Sequence, residues 1–192
     1  AIYALCKLGL ADERTSELVE RLLAWQWPDG GWNCDKNPLA KVSSFCETLL
    51  PLRGLAQYAQ VTQDARAGEA AKQAAEIFLG RRLFRRLSNG AVIDPNFLKL
   101  HYPCYWHYDI LMALKVLNEA GLINDPRCGE ALDQLRSKQL PGSGFPAEAK
   151  YYRVTDKSIS GRSLVDWGGT STQHMNPFVT ADALVVLKAA GM

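Results

Sequence analysis

Asp12-Glu13-Arg14, Glu17, Leu22, Gln26, Pro28, Gly31 and Trp32 return as Asp125-Pro126-Arg127, Glu130, Leu135, Gln139, Pro141, Gly144 and Phe145, an offset of 113 residues (12 to 125). Each copy reads as a helix closed by a Gln-x-Pro-x-x-Gly-aromatic loop. A weaker middle copy starts 52 residues after the first (12 to 64), where Asp64, Arg66 and Glu69 answer to Asp12, Arg14 and Glu17. A period of this length with helical content predicts helix pairs that cannot bury their faces alone and must stack on their neighbours.

A second pattern lies between the copies. Glu47-x-Leu49-x-x-Leu52-Arg53, Asp109-x-Leu111-x-x-Leu114-Lys115 and Asp182-x-Leu184-x-x-Leu187-Lys188 share the order acid, Leu, Leu, base. Leucines three apart make one apolar stripe, and an early acid with a late base complements the helix dipole. First helices are therefore expected at about 44–60, 106–120 and 177–190, with a stub at 1–8. Second helices are expected at about 13–25, 64–79 and 126–138. Gly9 and Gly121 stand where a helix end takes a left-handed residue, and Asp125-Pro126 offers an N-cap followed by Pro at the first helical position. Strand signals are poor throughout; Ala91-Val92-Ile93 is too short to count. The expectation is an all-α chain, one domain over residues 1–192, beginning inside a repeat of a longer protein.

The 192 residues are 47% hydrophobic and 22% charged with a net charge of +2, an ordinary globular balance that excludes a general nucleic-acid binder. Arg81-Arg82-Leu83-Phe84-Arg85-Arg86 reads either as a solvated helix end or as an anion site. No apolar run approaches the roughly 20 residues of a membrane span, which leaves only peripheral membrane contact open. Five cysteines (Cys6, Cys34, Cys46, Cys104, Cys128), an odd number in a chain of this size, predict reduced thiols and a cytoplasmic protein.

Gln26-Trp27-Pro28-Asp29-Gly30-Gly31-Trp32 is similar to the Gln-Trp-type repeat loop of squalene and oxidosqualene cyclases and of protein prenyltransferase β-subunits. The resemblance covers most of the chain. It implies an α/α toroid, with first helices as an inner barrel, second helices as an outer ring, and a central cavity for an apolar, isoprenoid-type molecule. A closed toroid takes about six pairs and this chain supplies about three and a half, a partial α/α barrel. Complement-type thioester domains share the toroid without terpene chemistry, so the alternative is a non-catalytic ligand-binding or protein-interaction scaffold. The loop also has a reading of its own: Asp29 can cap the following segment, and Trp27 or Trp32 can lie over a helix end.

Barrel-facing chemistry is expected at the starts of first helices and in the loops before them. Asp35, His107, Asp166 and His174 are the candidate acid–base groups, with His101 a further titrating imidazole. Tyr102, Tyr105, Trp106 and Trp167 are candidate walls for an apolar substrate, whose ring faces can hold a developing cation, or else a plug for the barrel. Glu47 and Asp109 are candidate substrate contacts, although their recurrence in the repeat also fits helix capping. The Asp-x-Asp-Asp acid motif of squalene-hopene cyclases does not occur here. Protein prenyltransferases hold zinc with an Asp-x-Cys pair and a later His; His107 matches that His, while the Asp-x-Cys place reads Ser43-Ser44-Phe45. Cys34, Cys104 and His107 are the candidate zinc ligands, Cys104-x-x-His107 having ligand spacing.

Overall fold

Leu49, Leu52 and Leu55 are almost wholly shielded from solvent, as are Ala67, Ala70, Ala71, Ala74, Ala75 and Phe78. The two sets face each other across helices α3 (Phe45–Thr62) and α4 (Ala65–Leu79), where the run of alanines lets the helix backbones approach closely. This computed structural model describes residues 1–37, 39–142, 144–157 and 162–192 and is predominantly helical. The remaining helices are α1 (Ile2–Lys7), α2 (Glu13–Ala24), α5 (Ile110–Glu119), α6 (Gly129–Arg136) and α7 (Pro177–Ala189). Part of the long 146–176 connection, at 158–161, lies outside the described residues. No helix among the described residues is long and apolar enough to cross a membrane.

The chain divides into two compact units, 1–81 with 116–122 and 82–115 with 123–192, so α5 contributes to both. In the first unit α3 packs on α1 and α4. Asp12 caps α2 through Thr15 N (3.1 Å), Ser44 caps α3 through Glu47 N (3.2 Å), and Asp64 caps α4 through Arg66 N and Ala67 N. Arg53 forms a fork with the Glu119 carboxylate at 2.5 and 2.7 Å and lies 3.7 Å from the Tyr3 ring centroid. In the second unit α6 packs on α7, and Phe84, Leu100, Ile110, Leu114, Leu135 and Phe145 form the fully buried centre. Two-residue strands β1 (Arg153–Val154) and β2 (Arg162–Ser163) pair in parallel in the long connection, where the sequence shows no strand signal.

The repeat loop recurs as a set of hydrogen bonds, each set within its own unit. In the first, Trp27 N donates to Gly31 O (2.8 Å), Trp32 N donates to Thr48 Oγ1 (3.1 Å), that hydroxyl donates to Trp32 O (3.2 Å), and Ser44 N donates to Trp32 O (3.0 Å). In the second, Leu140 N donates to Gly144 O (2.8 Å), Phe145 N to Thr180 Oγ1 (2.8 Å), that hydroxyl to Phe145 O (3.2 Å), and Asn176 N to Phe145 O (2.8 Å). One threonine, four residues past the N-cap of α3 or α7, thus clamps both backbone groups of the loop aromatic. Glycine before that aromatic is required by space. A Cβ at Gly31 would sit 2.6 Å from Ser43 Cβ and Thr48 Oγ1, and one at Gly144 would sit 2.6 Å from Met175 Cβ. Gln26 ties the loop to α4 through Gly30 O (2.7 Å) and Ala70 O (3.0 Å), and Trp32 Nε1 donates to Leu22 O at the end of α2 (3.0 Å). Asp29 receives Ser43 N and Ser43 Oγ beside the α3 cap, the capping role expected of it.

Gly9 and Gly121 take φ of 68° and 77°, as their positions predict. Two expectations are corrected. Helix α5 starts at Ile110 rather than near Trp106, because Asp109 Oδ1 accepts from Met112 N (2.7 Å) and sets the first turn there. The acid–Leu–Leu–base register is also not a structural equivalence. Glu47 lies in the first turn of α3, Asp109 precedes α5, and Asp182 lies in the body of α7, where it pairs with Lys115 at 2.6 Å. Leucines three apart fit the 3.6-residue helical period at more than one shift, so the stripe alone does not set the register; the threonine clamp does.

Candidate functional site

A fully buried polar pair is built in the second unit on the segment before α5. Asp94 caps a 3₁₀ turn at Pro95–Leu98 through Asn96 N (2.8 Å), and the chain then runs extended. Leu100 N donates to Glu148 Oε2 (3.0 Å), Glu148 N donates to Leu100 O (2.7 Å), and a β-bridge joins His101 to Ala149. Lys138 Nζ holds the same Glu148 carboxylate at 2.8 Å. His101 is thereby fixed facing Asp109.

The Asp109 carboxylate makes three interactions with no solvent access. Oδ2 accepts from His101 N (3.0 Å) and lies 2.8 Å from His101 Nδ1; Oδ1 accepts from Met112 N at the start of α5. Nδ1 also faces the Lys99 carbonyl oxygen (3.4 Å), which can only accept, so Nδ1 carries the proton and Nε2 is left as the second ring nitrogen. That Nε2 is buried and has no partner among the described residues. Burial works against a charged His101, but the hydrogen bond and charge of Asp109 outweigh it and raise the imidazole above its ordinary range. His107 moves the opposite way, lowered first by burial and then by the charge of His101.

Two rings meet His101, and further aromatic pairs lie in the same unit. Tyr151 stands edge-on to His101 at 4.9 Å. His107 is sandwiched between Trp106 (3.9 Å) and Tyr151 (3.8 Å). Tyr102 stacks on Phe178 (4.8 Å) and meets Trp167 edge-on (5.5 Å), and Tyr105 faces Tyr152 at 6.3 Å. The Trp167 loop is tied down by Trp167 N donating to Tyr152 Oη (3.1 Å) and by Asn176 Nδ2 donating to Trp167 O (2.8 Å).

Of the residues singled out in the sequence, Tyr102, Cys104, Tyr105, Trp106, His107, Asp109 and Trp167 thus belong to one region. Asp166 and His174 lie in the same unit but are exposed and locally bonded. Asp166 Oδ1 accepts from Gly168 N (3.0 Å), and His174 Nδ1 is 3.2 Å from Ser171 Oγ. Asp35, in the first unit, is exposed and closes a turn on Asn37 N (2.9 Å). Cys34 and Glu47, also in the first unit, meet there: the thiol donates to the Glu47 carboxylate, which also takes Cys34 N (3.1 Å) and Ser44 Oγ (2.8 Å). Sequence reasoning underrates His101 and misses Tyr151, Tyr152 and Phe178. Tyr151 and Tyr152 lie about fifty residues after His101 (101 to 151), and no local motif announces the bridge that brings them in.

Among the described residues, one grouping could hold a metal ion. His101, Cys104 and Asp109 offer donor atoms within 4.8 Å of one another; Cys34 and His107 are not part of it. Imidazole, thiolate and carboxylate are zinc donors in kind. Against that, the Asp109 oxygens are occupied by His101 and the α5 cap, the arrangement of a carboxylate that orients an imidazole. No family model, no curated protein and no solved structure matches this chain.

Proposed function

We propose that the chain belongs to a prenyltransferase/squalene-cyclase-like protein of α/α-toroid architecture that acts on an apolar, isoprenoid-type substrate. The observation that carries this reading is the buried His101 held by Asp109, with Nε2 unpartnered and Tyr151 edge-on to the imidazole. Asp109 fixes the ring and stabilises the imidazolium that forms when Nε2 takes a proton, so His101 serves as general base. The proton comes from the carbon next to the cation left when an allylic C–O bond to diphosphate breaks, giving an alkene and free diphosphate, or from the nucleophile that displaces diphosphate from the allylic carbon. The faces of Trp106, Tyr102 and Trp167 suit a transient cation, and their apolar bodies suit a hydrocarbon chain. The twice-built aromatic–threonine clamp supports the repeat architecture. A zinc ion, if bound, would be held by His101, Cys104 and Asp109 and would supply Lewis-acid chemistry in place of the base role of His101.

The test is incubation of the purified protein with squalene, farnesyl diphosphate and geranylgeranyl diphosphate, with products read by mass spectrometry. Turnover that His101→Gln abolishes and Asp109→Asn lowers by about 10²-fold or more agrees with the proposal. Turnover unchanged in His101→Gln refutes it. Retained lipid without turnover selects the non-catalytic scaffold instead.

A further inference from the structure

We infer that the cleft formed in the first unit by the end of α2, the 25–34 loop and the start of α3 binds an uncharged hydrocarbon alcohol. It encloses about 1050 Å³, at the upper end of the range for small-molecule sites, and its walls include Leu22, Trp25, Trp27, Trp32 and Pro51. A smaller cleft of about 480 Å³ shares Leu22, Trp25 and Pro51, so the apolar surface continues past Trp25. The inference does not rest on the histidine site.

The tryptophans carry the first part of the argument. The loop is stapled by Gln26, by the Gly30 and Gly31 backbone, and by Trp32, whose indole donates to Leu22 O. Neither Trp25 nor Trp27 contributes a side-chain bond to that staple, yet Trp25 is 65% exposed at the junction of the two clefts. Large indoles kept at a cleft wall without a structural bond mark a surface that an apolar molecule covers.

The polar wall selects the head group. Glu47 faces the cleft and no cation pairs with it among the described residues; its donors are Cys34 N, the Cys34 thiol and Ser44 Oγ. Those bonds hold its carboxyl below the usual carboxylate range, the Cys34 thiol contributing most. An anionic head would meet this fixed negative charge, with only the exposed Lys41 to offset it. A hydroxyl donates to the carboxylate, and the hydrocarbon body lies against the tryptophans.

Exposed Cys34 provides the readout. In the full chain, N-ethylmaleimide labelling of Cys34 is followed by peptide mass spectrometry with farnesol, hexadecan-1-ol, hexadecanoate or farnesyl diphosphate present. Both alcohols should slow labelling about fivefold or more at saturation, and the two anions should not. Glu47→Gln should weaken alcohol protection about tenfold. Ala24→Trp, at an exposed helical position on the wall, should fill the cleft and remove protection; Trp25→Ala, also exposed, is the second variant should the first fail to fold. The inference is overturned by no protection from either alcohol, by equal or stronger protection from the anions, or by protection that survives the folded wall variants. Loss of turnover in His101→Gln with alcohol protection intact separates this site from the histidine proposal.

Discussion

Replacing Asp109 by Ala should be among the most damaging single changes in the second unit. The substitution removes three acceptor interactions at once, to His101 N, His101 Nδ1 and Met112 N, in a site where both side chains have no solvent access. Breaking a buried ion pair by deleting one partner costs about 3–5 kcal/mol, and loss of a helix N-cap adds about 1 kcal/mol. The two contributions share one carboxylate and do not add in full, so a loss of about 4 kcal/mol is expected. For a chain of this length each kcal/mol moves the melting temperature by about 2–4 °C, which gives a drop on the order of 10 °C. Asp109→Asn keeps an acceptor for Met112 N and should lose about half as much. The assay is urea unfolding followed by circular dichroism, with amide exchange at Met112 and Ala113 reporting on the first turn of α5. A loss below about 1 kcal/mol in Asp109→Ala, or unchanged exchange in that turn, would show that the pair does not hold the segment together.

Other consequences can be checked alongside. Gly31→Ala and Gly144→Ala force a Cβ to within 2.6 Å of neighbouring atoms and should each cost about 1–3 kcal/mol, while Gly142→Ala, which meets open space, should change stability by less than about 0.5 kcal/mol; denaturant midpoints give the comparison. Burial raises the Asp29 carboxyl, but the hydrogen bonds from Ser43 and Gly31 prevail and leave it below the ordinary value. A depressed folded pKa contributes stability above the unfolded value of about 3.9 and loses it as pH falls through the folded one, so the gap between wild type and Asp29→Asn should narrow as unfolding is measured from pH 5 toward pH 2.5. Arg53→Lys should destabilise by about 1–2 kcal/mol despite conserving charge, because a lysine cannot reproduce the fork on Glu119 or the stack on Tyr3; a double-mutant cycle with Glu119→Gln reads the coupling. Burial pushes the Cys128 thiol up to about 11, so at pH 8 it should remain unlabelled by maleimide under conditions that modify exposed Cys34.

Much of the scaffold was written locally. Helix ends at Asp12, Asp64 and Asp125, the left-handed Gly9 and Gly121, and the paired loops at 26–32 and 139–145 all follow from residues within a few positions of one another. Such signals are legible because capping, turn chemistry and helical period act at short range. The same locality explains the errors. The stripe of leucines specifies a helix face without its register, and the Trp106–Tyr108 stretch reads as helix until Asp109 is seen to cap the turn after it. The Cys34–Glu47 contact spans thirteen residues, and Glu47 looks like a repeated scaffold acid until the loop folds the thiol onto it.

The amino-acid sequence by itself determined that this chain is predominantly helical and carries a duplicated Gln-x-Pro-x-x-Gly-aromatic staple, since periodicity and turn residues are properties of neighbours along the chain. Tertiary structure decided which candidates became a site. His101 and Asp109 are close in the chain, but the ring edge-on to His101 is Tyr151, brought in by a bridge at Ala149, while Trp167 and Phe178 meet the adjacent Tyr102 from a loop pinned to the cap of α7. Desolvation and ring contacts depend on what packs around a group from distant parts of the chain. The sequence therefore named the chemical groups, and packing alone determined which of them lie in an environment that changes their chemistry.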